Sequence, residues 1–519
     1  MRHPASPSQI RFVSLASLTL GLATALLFLA VLEVPKTEFL IACLVLTLAA
    51  PSLARLCLSG RFDFFYPPTF FGFLIFIGHI FPLGDFLRGE DVVTAVWPYA
   101  YGSFENSLDF ALELAILGAG SFFLGFAVTS RIPFRPAAAV QVFVPARMRL
   151  VGAVYTVAGL ALFATGVVLL GGVSALIAGL ADRIRAFAGL NYFFMAIFLL
   201  LDFALMWWAA LLSKRRLFVF WFWAYFVFAL ALSSLHGSRA HTLVVVLAAV
   251  ILYHLLYKPI SLWRVPILLV IGAIALVAFQ LIVREYLVVG ELVSVETNPS
   301  LASLWGRFRT SLGSDFYQIQ ALTIVVDAVP DRIPFQYAST YLPLLLAPIP
   351  SSLWAGKLDY LTSPGVLTMA LWPASWLDTG TTIPPSLMGE MYMNFGILGI
   401  LVGMTLFGSL YGCAYSYLKR GGKNIVFAVL YAALVSVMIH YIRGELSAPT
   451  ILLLFMTVPV MAAAWLVVRR ERRPSGPLEE RRGGERPQGS GAPLDGGPVP
   501  ATVSRIPAMD GGSRDVQTS

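Results

Sequence analysis

The chain has 519 residues, 58% of them hydrophobic and 12% charged, with mean hydropathy +0.79 and a formal net charge of +8. Soluble domains carry roughly 25% charged residues, so a soluble cytosolic or secreted enzyme is excluded. The basic residues stand singly or in short clusters between apolar runs, which argues against nucleic acid as a partner. The three cysteines, Cys43, Cys57 and Cys413, have neither metal-ligand spacing nor the look of a disulfide framework.

A transmembrane helix needs about 20 mostly apolar residues. That ruler predicts twelve spans, near 12–32, 39–57, 67–86, 108–129, 150–171, 191–213, 217–234, 242–257, 265–283, 391–417, 425–441 and 449–468. Arg2 and Arg11 precede the first, as in a signal peptide. Its apolar run is too long for that and no clear cleavage site follows, so it reads as a retained anchor. Lysine and arginine favour cytoplasmic loops. With the N-terminus inside, 20 basic residues fall on the cytoplasmic side and six in the short loops opposite. The expected fold is therefore an all-α, polytopic integral membrane protein, N-in and C-in, with a bundle over 1–468.

Two segments stand apart. Residues 284–390 form a long extracytoplasmic loop, in which a helix is expected around 301–328. Its stretch YLPLLLAPIPSSLW (341–354) is apolar but broken by prolines, so a re-entrant or interfacial element is expected there rather than a span. Residues 469–519 are rich in Pro, Gly, Arg and Glu without an apolar period, and read as a disordered cytoplasmic tail.

The polar residues are one-sided. Of 21 acids before the tail, only Asp63 is expected inside and only Asp202 near mid-membrane. His79, His236, His241 and His440 fall on the outer side, and His3 and His254 inside. Ionisable groups are costly in a membrane and mark function. Candidates on the outer side are Arg239, Arg284 with Glu285, Arg307 and Arg309, Glu390, His440 with Arg443 and Glu445, and the pair Asp109/Glu113. A lone arginine at a span end also serves as a snorkelling anchor, and the tryptophans 354, 372 and 376 suit an interface belt as well as a sugar platform. Guanidinium groups suit bidentate phosphate binding. A carboxylate or imidazole beside them can take a hydroxyl proton.

The runs PIPSSLWAGK (348–357) and GTTIPPSLMGEMYMNFGILG (380–399), with the GSRA turn (237–240), resemble the O-antigen and exopolysaccharide repeat-unit polymerases of the Wzy type. The resemblance implies a reaction at the periplasmic membrane face. A chain on undecaprenyl pyrophosphate would be transferred to a sugar hydroxyl of a newly arrived lipid-linked repeat. By matched position it implies that Arg239 binds the donor pyrophosphate, that Glu390 lines the catalytic site with Tyr392 and Asn394, and that Lys357 contacts phosphate. Arg284, Arg443, His440, Arg307 and Arg309 rest on their outer location alone. Membrane lipid is the medium, and a chain-length regulator and a flippase are partners implied by the family. No cofactor and no metal are expected.

Two other readings stand beside it. Arg239-Ala-His-Thr-Leu243 fits an Arg-x-x-x-Leu pattern similar to that of O-antigen ligases, which move a finished chain once. Twelve spans with both ends inside also suit a transporter or flippase for lipid-linked sugars, although the midplane holds little polar beyond Asp202.

Overall fold

The computed structural model describes residues 35–60, 62–86, 104–134, 139–179, 189–214, 219–234, 239–261, 317–347, 361–379, 382–420 and 424–472, with isolated positions 187, 264, 272, 349 and 354. The expected span at 12–32 and the chain beyond Arg472 lie outside the described residues, as does the span at 265–283 apart from Gly272.

The principal helices are α1 (Lys36–Ser59), α2 (Pro67–Ile75), α3 (Phe104–Thr129), α4 (Pro145–Leu170), α5 (Phe198–Lys214), α6 (Val219–Ser234), α7 (Arg239–Leu256), α8 (Gln318–Ala328), α9 (Ser363–Leu371), α10 (Leu387–Arg420), α11 (Ile425–Arg443) and α12 (Ser447–Val467). Among the described residues, seven helical stretches are long and apolar enough to cross a membrane: α1, α3, α4, Tyr192–Leu212 around α5, α10, α11 and α12. Three further expected spans fall on shorter apolar helices, Pro67–Ile80, Val219–Ser233 and His241–Leu256. Each expected span within the described residues is thus helical, as it must be where no water can bond the backbone.

α5 is the hub. It packs against α4, α6, α7, α11 and α12 and is buried along most of its length. α6 turns Phe220, Trp221 and Val227 outward instead, the apolar surface expected of a helix that faces lipid. Between α3 and α10 the contact is made by glycine. A Cβ on Gly125 would strike the Thr405 carbonyl, and one on Gly408 the Phe122 carbonyl. The approach lets Thr129 Oγ1 reach the Ser409 carbonyl at 3.0 Å. Small residues at such crossings let helix backbones meet where lipid supplies no hydrophobic drive. Phe71 of α2 stacks on Phe122 of α3 at 3.8 Å between ring centroids, fixing a third helix to this pair.

The fold is all-helical, as expected, and the structure adds detail to it. One short ribbon joins two helix ends: Ala139–Phe143 (β1) pairs antiparallel with Val468–Arg472 (β2), Ala139 opposite Arg472 and Phe143 opposite Val468. Residues 469–472, assigned to the tail by their charge, are therefore part of this ribbon, and the compact unit closes at Arg472. The helix over 387–420 is also not one rod. Phe395 (φ −140°, ψ 18°) and Gly396 (φ 60°, ψ −145°) are non-helical, and the chain folds back so that Met391 lies against Gly399 and Gly403. Glu390 consequently sits on a separate arm, residues 387–394, rather than opening the tenth span. Glycine at 396 meets the positive φ without a Cβ penalty.

Within the long loop, α8 covers only the last part of the helix expected at 301–328; residues 301–316 lie outside the described residues. α8 is buried on nearly every face, against α3, α10 and the π turn Phe76–Ile80, where Gly78 gives room to the Gln318 side chain. In the stretch 341–354, Leu342–Leu346 forms a five-residue helix, and Ala347 accepts a hydrogen bond from the Tyr192 hydroxyl.

Candidate active site

The arm at 387–394 is built by local sequence. Pro384-Pro385 hold the approach extended, and Ser386, at φ 69° and buried, accepts the Gly389 N–H on its Oγ at 3.2 Å. That is an N-cap bond. Glu390 and Asn394 are one turn apart on one face of the arm, and the break at 395–396 ends it.

This face meets three other segments. Ser363 Oγ, at the start of α9, donates to Glu390 Oε1 at 3.0 Å, and Thr340 Oγ1 approaches the same oxygen at 3.4 Å. The Leu446 N–H donates to Glu390 Oε2 at 2.6 Å. Asn394 Nδ2 donates to Thr340 Oγ1 and to the Glu390 carbonyl, both at 2.8 Å, while Asn394 Oδ1 accepts the Ala338 N–H at 2.8 Å. Glu390, Asn394, Thr340 and Ser363 are all fully buried. A buried carboxylate is tolerated only with such partners.

A second glutamate joins them. Glu445, in the turn between α11 and α12, lies 3.4 Å from Ser363 Oγ through Oε2, and also accepts from Thr362 and from the Ala448 N–H. The N-termini of α9 and α12 thus converge on the two carboxylates, where helix dipoles favour negative charge. Burial pushes the Glu445 carboxyl up to about 7, against the pull of those three bonds. Burial also raises the Tyr341 phenol, with Glu390 close by adding to it.

A histidine pair lies at the same end of the bundle. His241, in the first turn of α7, and His440, in the last turn of α11, have ring centroids 6.0 Å apart, and Phe198 of α5 stands edge-on to His241 at 5.6 Å. Arg443 follows one turn after His440, half-buried, two residues before Glu445. Arg239 is the first residue of α7, so its backbone stands at this end as well. The structure therefore links Glu390 with Asn394 and, through Ser363, with Glu445, while His440 and Arg443 precede Glu445 in the last turn of α11 and the start of α7 lies beside His440. Tyr392 points elsewhere on the arm, its ring 6.2 Å from Phe110 and 6.3 Å from Phe335. Arg284, Arg307, Arg309, Lys357, Glu285 and His236 lie outside the described residues. Among the described residues, no group of three or more His, Cys, Asp or Glu side chains is gathered as a metal ion requires.

Other polar candidates fall away from this cluster. Asp109 and Glu113 face Lys36, which is 3.8 Å from Asp109 and 3.0 Å from Glu113, and Thr37 donates to Asp109 at 2.6 Å. Asp202 is fully buried in α5, with neither carboxylate oxygen hydrogen-bonded among the described residues. At the opposite end of α7, His254 Nδ1 accepts the Ile260 N–H at 3.0 Å, which leaves Nε2 to donate to Asp63 Oδ1 at 3.1 Å. Arg55 completes this clamp at 2.9 Å from Asp63 Oδ2, with its guanidinium 4.0 Å over the Tyr66 ring. Burial works to raise Asp63, but His254, Arg55 and the Phe65 N–H together hold it below the ordinary carboxylate range.

Sequence reasoning did not find Thr340 or Ser363, and it named Glu445 without its partner. Thr362-Ser363-Pro364 reads as an ordinary helix start, and nothing in it signals contact with carboxylates 27 and 82 residues away.

Apolar helices around a buried, hydrogen-bonded glutamate pair define a multi-pass membrane protein with a polar site at one end of its bundle. The sequence pattern of the O-antigen polysaccharide polymerase Wzy family matches residues 12–471. With nearly the whole chain covered, the protein belongs to that family, whose members join lipid-linked oligosaccharide repeat units into polysaccharide. No curated protein and no solved structure matches the chain.

Proposed function

We propose that the donor is a growing chain on undecaprenyl pyrophosphate, transferred to a sugar hydroxyl of the incoming lipid-linked repeat at the outer face of the bacterial inner membrane. The bundle has twelve spans with both ends inside, which puts the Glu390–Glu445 end outside. A pyrophosphate leaving group needs cations. Arg239 and Arg443 supply them at the described end, with His440 one turn before Arg443 as a hydrogen-bonding group, and Arg284, Arg307, Arg309 and Lys357 supply them from the loop. The acceptor hydroxyl needs a group that takes its proton, and one member of the buried glutamate pair supplies it. Asn394 holds the Glu390 arm in place. A chain-length regulator and a flippase work beside the enzyme, and no metal takes part.

The observation that carries this reading is the bonding of two buried carboxylates to one hydroxyl, one of them in the turn that directly follows His440 and Arg443. It is tested by offering repeat units linked through pyrophosphate or through a single phosphate. Extension of the pyrophosphate-linked units alone is expected. Equal extension of both would remove the donor assignment, and activity lost in chelator but restored by a divalent ion would remove metal independence.

A further inference from the structure

Two glutamates share one hydroxyl in this site, and their surroundings differ. Glu390 has no exposed surface, and both its oxygens are taken: Oε1 by Ser363 and Thr340, Oε2 by the backbone of Leu446. With no surface exposed, it makes no direct contact with a substrate in this arrangement. Glu445 retains 7% exposure and sits in the turn that directly follows His440 and Arg443. Glu445 is thus the one of the two that keeps surface for a substrate hydroxyl.

The shared hydroxyl orders the pair. Ser363 has one proton, and its oxygen is nearer to Glu390 (3.0 Å) than to Glu445 (3.4 Å). With that proton given to Glu390, a lone pair on Ser363 Oγ is left for a donor on the Glu445 side. An ionised Glu445 offers none; a protonated Glu445 does. Ionised, Glu445 competes with Glu390 for the Ser363 proton; protonated, it donates to Ser363 Oγ, so the hydroxyl links the two carboxyls in both states.

We infer that Glu445 is the catalytic base of the polymerase, and that Glu390 and Ser363 are positioning residues which hold it in place. This rests on the donor and acceptor assignment proposed above. In the step, the acceptor hydroxyl gives its proton to a Glu445 oxygen. The electron pair of its O–H bond makes the new bond to the anomeric carbon of the donor chain. The bond from that carbon to the pyrophosphate oxygen breaks, and its pair leaves with undecaprenyl pyrophosphate. Glu445 then returns the proton to water. Burial, which raises the Glu445 carboxyl to about 7, suits a base working near neutral pH.

The test is the rate of chain extension against pH in nanodiscs for wild type, E445Q, E445D and S363A, with Tm measured for each. Wild type is expected to gain activity as pH rises through about 7. E445Q keeps an oxygen for the Ala448 N–H, and is expected to fold and to extend chains at least about 100-fold more slowly, without that rise. E445D should keep measurable activity, and S363A should remain active with the midpoint of the rise displaced. An E445Q enzyme within about tenfold of wild type, still showing the rise, overturns the inference. So does a loss in E445Q and E445D that follows a fall in Tm. Wild type that extends nothing at any pH strikes the donor and acceptor assignment itself, and is distinguished by needing no variant.

Discussion

Glu390 accepts the backbone N–H of Leu446 at 2.6 Å, a bond across 56 residues that fastens the arm at 387–394 to the turn before α12. Because Glu390 is fully buried, the bond has no water to replace it. E390A is expected to leave the Leu446 N–H and the Thr340 hydroxyl short of an acceptor, costing about 1–3 kcal/mol for each group left unpaired, while Ser363 can still donate to Glu445. E390Q retains an acceptor and should cost less. Thermal unfolding in detergent separates the two, and equal Tm values for wild type and E390A would contradict the arrangement.

Arg239 opens α7 at the end of the bundle that holds His440 and Arg443. As a phosphate ligand it should act mainly on donor binding. Loss of one charge-assisted hydrogen bond is worth about 1.5–3 kcal/mol, so R239A should raise KM for the lipid-linked donor by about 10- to 100-fold. Unchanged yield and chain length at normal protein level would make Arg239 an anchor only.

The glycine crossing of α3 and α10 gives a prediction with its own control. G125A and G408A would each press a methyl into a facing carbonyl and should destabilise by about 1–3 kcal/mol. Gly120 lies on the same helix as Gly125 with nothing within 4 Å of its added Cβ. G120A should therefore leave Tm unchanged or slightly raised. If all three behave alike, the close approach is wrong.

Asp63 and Glu445 set opposite pH dependences of stability. Asp63 is held below its ordinary range when folded, so its contribution is present above that range and is lost as pH falls through the folded value. Glu445 is raised to about 7, so its contribution is present at acid pH and is lost as pH rises through about 7. D63N should flatten the acid side of a Tm-against-pH curve, and E445Q the neutral side. Variants that leave both sides as in wild type would show that neither carboxyl is perturbed.

The apolar runs made most of the bundle legible, because a chain in lipid must close its backbone bonds locally and long apolar segments can do so only as helices. The same runs concealed the break at Phe395–Gly396. Gly396 permits the turn, but a glycine among apolar neighbours does not announce one, and the fold-back is completed by Met391 lying against Gly399 and Gly403. The ribbon between 139–143 and 468–472 was hidden for a different reason. Val468-Arg-Arg-Glu-Arg472 reads as a solvated end until Ala139–Phe143 is alongside it. At the site, Glu390 and Asn394 were legible from their place in a motif, and Glu445 from its position at a span end. Their connection through Ser363 and Thr340 was not, since those hydroxyls arrive from distant turns of the long loop.

The most direct measurement uses the purified protein in nanodiscs, supplied with undecaprenyl-pyrophosphate-linked repeat units from its own host, with products resolved by size. A ladder spaced by one repeat unit is predicted. Transfer of chains to added lipid A core without a ladder would mean a ligase. No product from units that another polymerase extends would contradict the polymerase assignment and the site built on it.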